Sequence, residues 1–293
     1  MKLGHWQAGA LLLGVGFLWS CAATGSQSEG HQKASPITGP VTRLAGGITR
    51  AVVQLDPHHS LWVYKPAKLK AKCPLILIAP AGTPLIYGMS VGEGDSAEHF
   101  PYAQAGCIVV SYDISGPYAK GEGRLEDSVR EFTDANFGVD DAKRALTYAL
   151  NSIPEVDPHR IIAVGHSSAA TLALQTALAD DRIQACVAYA PVVDVEARIG
   201  ANLSKIDRSV SGFAAKVQTF SPANHIGEIR KPLFLFHADD DDNVPADEVR
   251  RYARGTKSSK LVEVPNGGHY DSMIQQGVPA AIQWMRSQQL IDK

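Results

Sequence analysis

The sequence is short of the residues that mark several protein classes. Only four of its 293 residues are cysteine, too few for a disulfide framework in a chain this long. None stands in a Cys-x-x-Cys pair or in a Cys/His spacing that would suggest zinc. Charge of one sign is also lacking, since 28 Lys+Arg against 30 Asp+Glu leave a net charge of -2. With no basic face or Arg-rich run to release counterions from a phosphate backbone, nucleic acid is not expected as a partner. The acidic run Asp239 to Asp242 lacks the Asp-x-Asp-x-Asp-Gly pattern and distal Glu of a calcium loop. No metal is therefore expected. What is present is an ordinary globular balance of 45% hydrophobic and 20% charged residues, which excludes disorder and polytopic membrane architecture. The length fits one large α/β domain or two small ones.

The first twenty residues differ from the rest. Lys2 is followed by an uncharged apolar run from Ala8 to Trp19, too short to span a bilayer comfortably, that stops at Ser20-Cys21. This reads as an export signal over residues 1–20. Leu18-Trp19-Ser20-Cys21 resembles the bacterial lipobox, which implies lipidation of Cys21 and an extracytoplasmic protein held to a membrane by a lipid anchor. An ordinary cleaved signal is the alternative. Residues 21–40, rich in Ser, Gly, Gln and Thr, read as a solvated tether. The catalytic domain is expected over 41–293. With Cys21 lipidated, Cys73, Cys107 and Cys186 remain, each at the edge of an apolar run where cysteine acts as a small hydrophobe.

Two alternating stretches, Thr49–Leu55 and Leu61–Tyr64, flank Asp56-Pro57-His58-His59 and predict an antiparallel hairpin. After them, short apolar runs alternate with segments of helical period. The runs are Leu75–Ala79, Cys107–Tyr112, Arg160–Val164, Cys186–Ala190, Leu233–His237 and Leu261–Val264; the clearest helical segments are Asp140–Asn151, Ala169–Ala179, Ala246–Arg254 and Asp271–Gln289. Continuous apolar strands alternating with helices predict one mostly parallel, doubly wound sheet, with residues 191–231 as a short cap insert. In such a sheet ligands bind beyond the carboxyl ends of the strands. A serine, several aspartates and a histidine fall there in the order Ser, Asp, His.

The serine is Ser167, in a strand that ends in Gly165-His166-Ser167-Ser168-Ala169 and passes directly into a helix. This is the context of a nucleophile elbow, with small residues at Gly165 and Ala169 letting strand and helix approach. The following helix aims the Ser168 N–H toward a developing oxyanion. A decoy, Gly88-Met89-Ser90-Val91-Gly92, matches Gly-x-Ser-x-Gly by letter but has neither strand before it nor periodic helix after it. Ser90 is accordingly read as loop.

The acid lies in Lys231-Pro-Leu-Phe-Leu-Phe-His237-Ala238-Asp239-Asp240-Asp241-Asp242-Asn243-Val244-Pro245, a strand running into an acidic loop before a helix. Here the chain resembles an α/β-hydrolase, similar to the prolyl-oligopeptidase catalytic domain and related esterases. The family loop, His-Gly-x-x-Asp-x-x-Val-Pro, implies Asp241 as the catalytic aspartate; Ala238 departs from the family glycine. Asp239, Asp240 and Asp242 are read as a solvated turn. The base is His269 in Pro265-Asn266-Gly267-Gly268-His269-Tyr270, where two glycines allow the close turn that brings imidazole to serine and aspartate. His166 competes by adjacency, but the residue before an elbow serine points away from its Oγ, so His166 is given a packing or pocket role.

The second oxyanion donor is expected in the turn after the Leu75–Ala79 strand. Family members carry His-Gly-x there, and Ala81-Gly82-Thr83 occupies the place, which implies the Thr83 N–H with Gly82 providing the turn. Tyr87 is either a pocket wall or partly buried against the hairpin. The expectation is a cofactor-independent serine hydrolase acting by acyl transfer, most simply a carboxylesterase on a small or glycan-linked ester. A small-peptide hydrolase of prolyl-oligopeptidase type is the alternative. A binding lipoprotein on an inactive hydrolase scaffold is an alternative of another class.

Overall fold

The computed structural model describes residues 37–92, 96–121 and 123–292. Cys21 and the segment read as an export signal lie outside the described residues. Among the described residues, no helix is long and apolar enough to cross a membrane.

The chain opens with three antiparallel strands at one edge of the sheet, β1 (Ile37–Thr38), β2 (Thr42–Arg43) and β3 (Thr49–Asp56). β1 and β2 both pair with β3. Ordered pairing thus starts before Val41, inside the stretch read as tether. A two-residue edge strand needs only backbone partners and leaves no side-chain period to read. β4 (His59–Lys65) completes the expected hairpin, turning at Pro57-His58.

From β5 (Cys73–Ile78) onward strands and helices alternate. They are α1 (Ser96–Gln104), β6 (Ile108–Tyr112), α2 (Leu125–Asp134), α3 (Val139–Ser152), β7 (Val156–His166), α4 (Ser168–Ala179) and β8 (Ala185–Tyr189). Three short helices follow within the expected insert, α5 (Val195–Ile199), α6 (Leu203–Ser209) and α7 (Phe213–Phe220). β9 (Leu233–Ala238), α8 (Ala246–Gly255), β10 (Ser259–Val264) and α9 (Val278–Ser287) close the fold. The strand order is β1-β3-β4-β6-β5-β7-β8-β9-β10, with β2 also on β3. All pairings from β6 to β10 are parallel. The mostly parallel sheet with an antiparallel N-terminal part is the expected fold class.

Each residue of β5, β6, β8 and β9 is buried, because helices cover both faces. The two-residue period divides these strands between two cores. Leu75, Leu77, Val110, Ala163 and Leu235 face one, with α2, α3, α4 and α8. Ile76, Ile78, Val109, Val164 and Phe236 face the other, with residues of α1 and α9. Cys73, Cys107 and Cys186 are free, buried packing groups; burial pushes the Cys107 thiol up to about 12.

One helix differs from expectation. The segment Asp271–Gln289 is not continuous: a π-helical turn, Met273–Gly277, precedes α9. Pro279 supplies no N–H and its ring crowds the carbonyl four residues back, so the hydrogen-bond ladder shifts at that point. Gly277 lies against Phe236 of β9, with 2.9 Å between a notional Cβ and the ring.

β5 is flanked by β6 on one side and β7 on the other. Strand order therefore reverses direction at β5, and the loops leaving β5 and β7 separate there. The crevice at such a reversal is where a doubly wound sheet binds its ligand.

Candidate active site

Ser167 sits between the last residue of β7 and the first of α4, with φ 57° and ψ −122°. An L residue is strained there, and the surroundings hold it. The Ser167 N–H donates to Tyr189 O at 2.8 Å, and its carbonyl accepts from Ala170 N at 3.0 Å. Both backbone groups are thereby satisfied and the turn presents the side chain. A Cβ on Gly165 would lie 2.1 Å from Ala169 O, so glycine is required there. Ser168 is buried at the start of α4. Among the other non-glycine residues of positive φ, Leu85 (66°) and Ala190 (45°) lie in the connections after β5 and β8, the strands that flank β7, while Asn136, Phe137 and Gln289 lie elsewhere.

The acidic loop after β9 meets the glycine loop after β10. His269 Nδ1–H donates to Asp241 Oδ2 at 2.7 Å, and the Asp241 side chain is 1% exposed. Asp241 Oδ1 accepts the N–H groups of Asn243 (2.8 Å) and Val244 (3.0 Å). Burial pushes this carboxyl up, but the His269 and backbone hydrogen bonds outweigh it and hold the group below its ordinary value. A carboxylate on Nδ1 fixes the tautomer and leaves Nε2 free to accept a proton. Beneath the pair lies His237, with Nε2 3.9 Å from Asp241 Oδ2. Burial lowers its pKa, opposed by the charge of Asp241.

The other three aspartates are exposed on a turn, as expected, yet two of them have partners. Asp239 pairs with Arg250 of α8, which also holds Glu263 at 2.6 Å. Asp240 accepts the N–H groups of Gly267 and Gly268 at 3.0 and 2.8 Å. Asp242 is exposed, as expected. The sequence shows four equal carboxylates; contacts across 11 to 28 residues distinguish them.

His166 is 3% exposed and turned toward the loop that carries His269. Its Nε2–H donates to the His269 carbonyl at 3.0 Å, and its ring lies 4.6 Å from that of His269 and 5.7 Å from that of Tyr270. Nδ1 lies 3.8 Å from Glu98 Oε1 of α1. Burial, with the charge of His269, lowers its pKa to about 4, so the ring is a neutral packing group. Because Ser167 directly follows His166, this stack brings the elbow and the His269 loop together.

Thr83 is buried in the loop after β5, its Oγ1 without a hydrogen-bond partner, behind Gly82 at φ +96°. Tyr87 is partly buried and packs edge-on against Tyr118, with centroids 5.4 Å apart. The loop is pinned from the far side: Gly88 N–H donates to Gly116 O, Ile114 N–H to Met89 O and Val91 N–H to Asp113 Oδ1. Asp113 also accepts Ser60 N–H of the hairpin at 3.0 Å; burial pushes its pKa up against these bonds. Ser90 is exposed on this pinned loop, with no strand-to-helix turn around it. Glu98, Asp240 and the His166 contact escaped sequence reasoning. An acid in a half-apolar helix and one Asp within a run of four, four positions before Val244, carry no readable signal.

The sheet order, the strand-to-helix elbow after β7 and the loops after β9 and β10 that join Asp241 to His269 define an α/β-hydrolase. Residues 95–287 match the prolyl oligopeptidase family, and the chain belongs to that family; it is a serine hydrolase. Among solved structures it is similar to the esterase Est1E from Butyrivibrio proteoclasticus, with 19% identity, a TM-score of 0.60, and coverage of 82% of this chain and 98% of that one. Acetyl xylan esterase 1 from Thermoanaerobacterium sp. JW/SL YS485 is similar at 16% identity and a TM-score of 0.61, covering 86% and 88%. The acylaminoacyl peptidase of Pyrococcus horikoshii is similar at 15% identity and a TM-score of 0.64, covering 88% of this chain and 42% of that one. No curated protein sequence matches.

Proposed function

We propose that Ser167, His269 and Asp241 form the catalytic triad of a carboxylesterase acting on small or glycan-linked esters. The observation that carries this reading is the 2.7 Å bond from His269 Nδ1–H to Asp241 Oδ2, on loops beside the elbow serine. Ser167 Oγ attacks the ester carbonyl as its proton passes to His269 Nε2. The N–H groups of Ser168 and Thr83 hold the oxyanion, and the alcohol leaves with the proton from His269. Water repeats the sequence on the acyl-enzyme, releasing the acid and restoring Ser167. Gly82 supplies the turn for the Thr83 donor, and Tyr87 walls the pocket.

Ester is favoured over peptide by two features. The hydrolase unit corresponds to 98% of Est1E, a protein also solved with bound ferulic acid, but to 42% of the acylaminoacyl peptidase. The loop that carries Thr83 continues to Ile86, which lines a cavity of about 280 Å³ where Leu125, Val129, Ile206 and Val210 alternate with Glu126, Asn202, Lys205 and Ser209, a mixed wall that suits a small ester bearing both apolar and hydroxyl groups. Export and lipid anchoring through Cys21 complete the proposal and place the enzyme on extracytoplasmic esters.

The test is kcat/KM of the purified protein across p-nitrophenyl esters, acetylated sugars, feruloyl esters and aminoacyl amides. Esters are expected to be turned over best. Faster turnover of aminoacyl amides would favour the peptidase reading, and absence of any turnover together with absence of fluorophosphonate labelling would favour a binding lipoprotein.

A further inference from the structure

Asp240 neighbours the proposed acid but faces a different partner. Its Oδ2 and Oδ1 accept the N–H groups of Gly267 and Gly268, at 3.0 and 2.8 Å. The two glycines have φ values of 116° and 64°, backbone open to glycine and strained for other residues. Successive N–H groups that converge on one anion form a nest, and here the protein's own carboxylate fills it. From the other side, Ser272 N–H donates to Gly267 O at 2.9 Å and Ser272 Oγ to Gly268 O at 2.5 Å. His166 holds the next carbonyl, that of His269. Three consecutive residues ending at His269 are thus held through their backbone, and Asp240 holds the backbone of two of them from the loop whose Asp241 binds the His269 ring.

We propose that Asp240 is a positioning residue for His269, its carboxylate fixing the base loop in register with the acid loop. The inference rests on His269 being the base. The chemistry explains the residue type. Two adjacent N–H donors need two acceptor oxygens, which a carboxylate offers; an amide offers one and turns its NH₂ toward the second donor. A Gly-Gly turn has more conformations to lose than any other dipeptide, so without the clamp the imidazole samples positions from which Nε2 misses the serine. Small misplacements of a reacting group are costly in rate.

The experiment compares Asp240→Ala, Asp240→Asn, Asp242→Asn and His269→Ala in the full chain, using p-nitrophenyl acetate with active sites titrated by a fluorophosphonate. Turnover per titrated site is expected to fall about 10- to 100-fold in Asp240→Ala, with KM within about twofold. Asp240→Asn is expected to lie between Ala and wild type, the partial rescue that one remaining acceptor gives. Asp242→Asn removes the same charge from an exposed neighbour and should match wild type. A purely structural role would lower the titratable fraction and Tm, leaving turnover per site unchanged. Wild-type turnover per site in Asp240→Ala overturns the proposal, as does wild-type turnover in Asp240→Asn if the alanine variant does not fold. His269→Ala keeps the two readings apart: if it retains activity, the assignment of His269 fails, whereas a dead His269→Ala beside an unaffected Asp240→Ala rejects only the clamp.

Discussion

Gly165 and Ala169 approach so closely that a Cβ on the glycine would lie 2.1 Å from the Ala169 carbonyl oxygen and 2.6 Å from the Ala170 nitrogen. The contact is backbone to backbone, so no rotamer change relieves it. It joins the end of β7 to the first turn of α4 and holds Ser167 between them at positive φ.

Gly165→Ala should therefore destabilise the protein by on the order of 3 kcal/mol or more and abolish hydrolase activity even where folded protein is recovered. Thermal unfolding and p-nitrophenyl acetate hydrolysis check it. An active, stable Gly165→Ala variant would mean that the elbow is far looser than its geometry indicates.

Asp241→Asn keeps size and most hydrogen bonding but favours the wrong imidazole tautomer. Turnover should fall roughly 10²–10⁴-fold with folding preserved. Asn at Asp239, which serves Arg250, or at exposed Asp242 should cost less than about tenfold. Near wild-type turnover in folded Asp241→Asn would place the acid elsewhere, with Asp194 after β8 the next to examine. That carboxylate caps α5 by accepting Ala197 N–H at 2.9 Å.

Two buried histidines make stability depend on pH. Burial lowers the pKa of His99 to about 4, and burial with the charge of His269 lowers that of His166 to about 4, from an ordinary value of 6.5. Below pH 6.5 the unfolded chain takes up protons that the native state refuses until about pH 4. Their contribution is complete above pH 6.5 and is lost as pH falls through that window, on the order of 3 kcal/mol per histidine by its lower end. Neither ring nitrogen of His99 has a hydrogen-bond partner. His99→Leu is therefore expected to be at least as stable as wild type at pH 7, and to lose less Tm between pH 6.5 and 4. An unchanged pH slope in that variant would reject the assignment.

Anchoring is tested by Cys21→Ser. A diacylglyceryl thioether with an N-terminal acyl chain gives the two lipid signals that stable attachment needs. The variant should leave the membrane fraction or accumulate as precursor. Wild-type protein free in the soluble extracytoplasmic fraction, cleaved after a residue other than Ser20, would contradict lipidation.

The parallel sheet was legible because both-face burial forces continuous apolar runs, as in Leu75–Ile78 and Leu233–Phe236. Ser167, Asp241 and His269 were legible because each follows such a run. What escaped lacks a local pattern. β1 is two residues long, too short to show a period, α1 carries Pro101 in its interior, and the π turn before α9 answers a proline that helical periodicity ignores. Asp240 escaped for a related reason: its partners, Gly267 and Gly268, become neighbours only when β10 lies beside β9.

The central claim is that Ser167 is the nucleophile, and the most direct measurement is the site of fluorophosphonate labelling by peptide mass spectrometry. One adduct is expected, on Ser167, lost in Ser167→Ala and retained in Ser90→Ala, because the proposed mechanism gives the elbow serine, and not the loop serine, a base and oxyanion donors. An adduct on Ser90, or full labelling of Ser167→Ala, would contradict it.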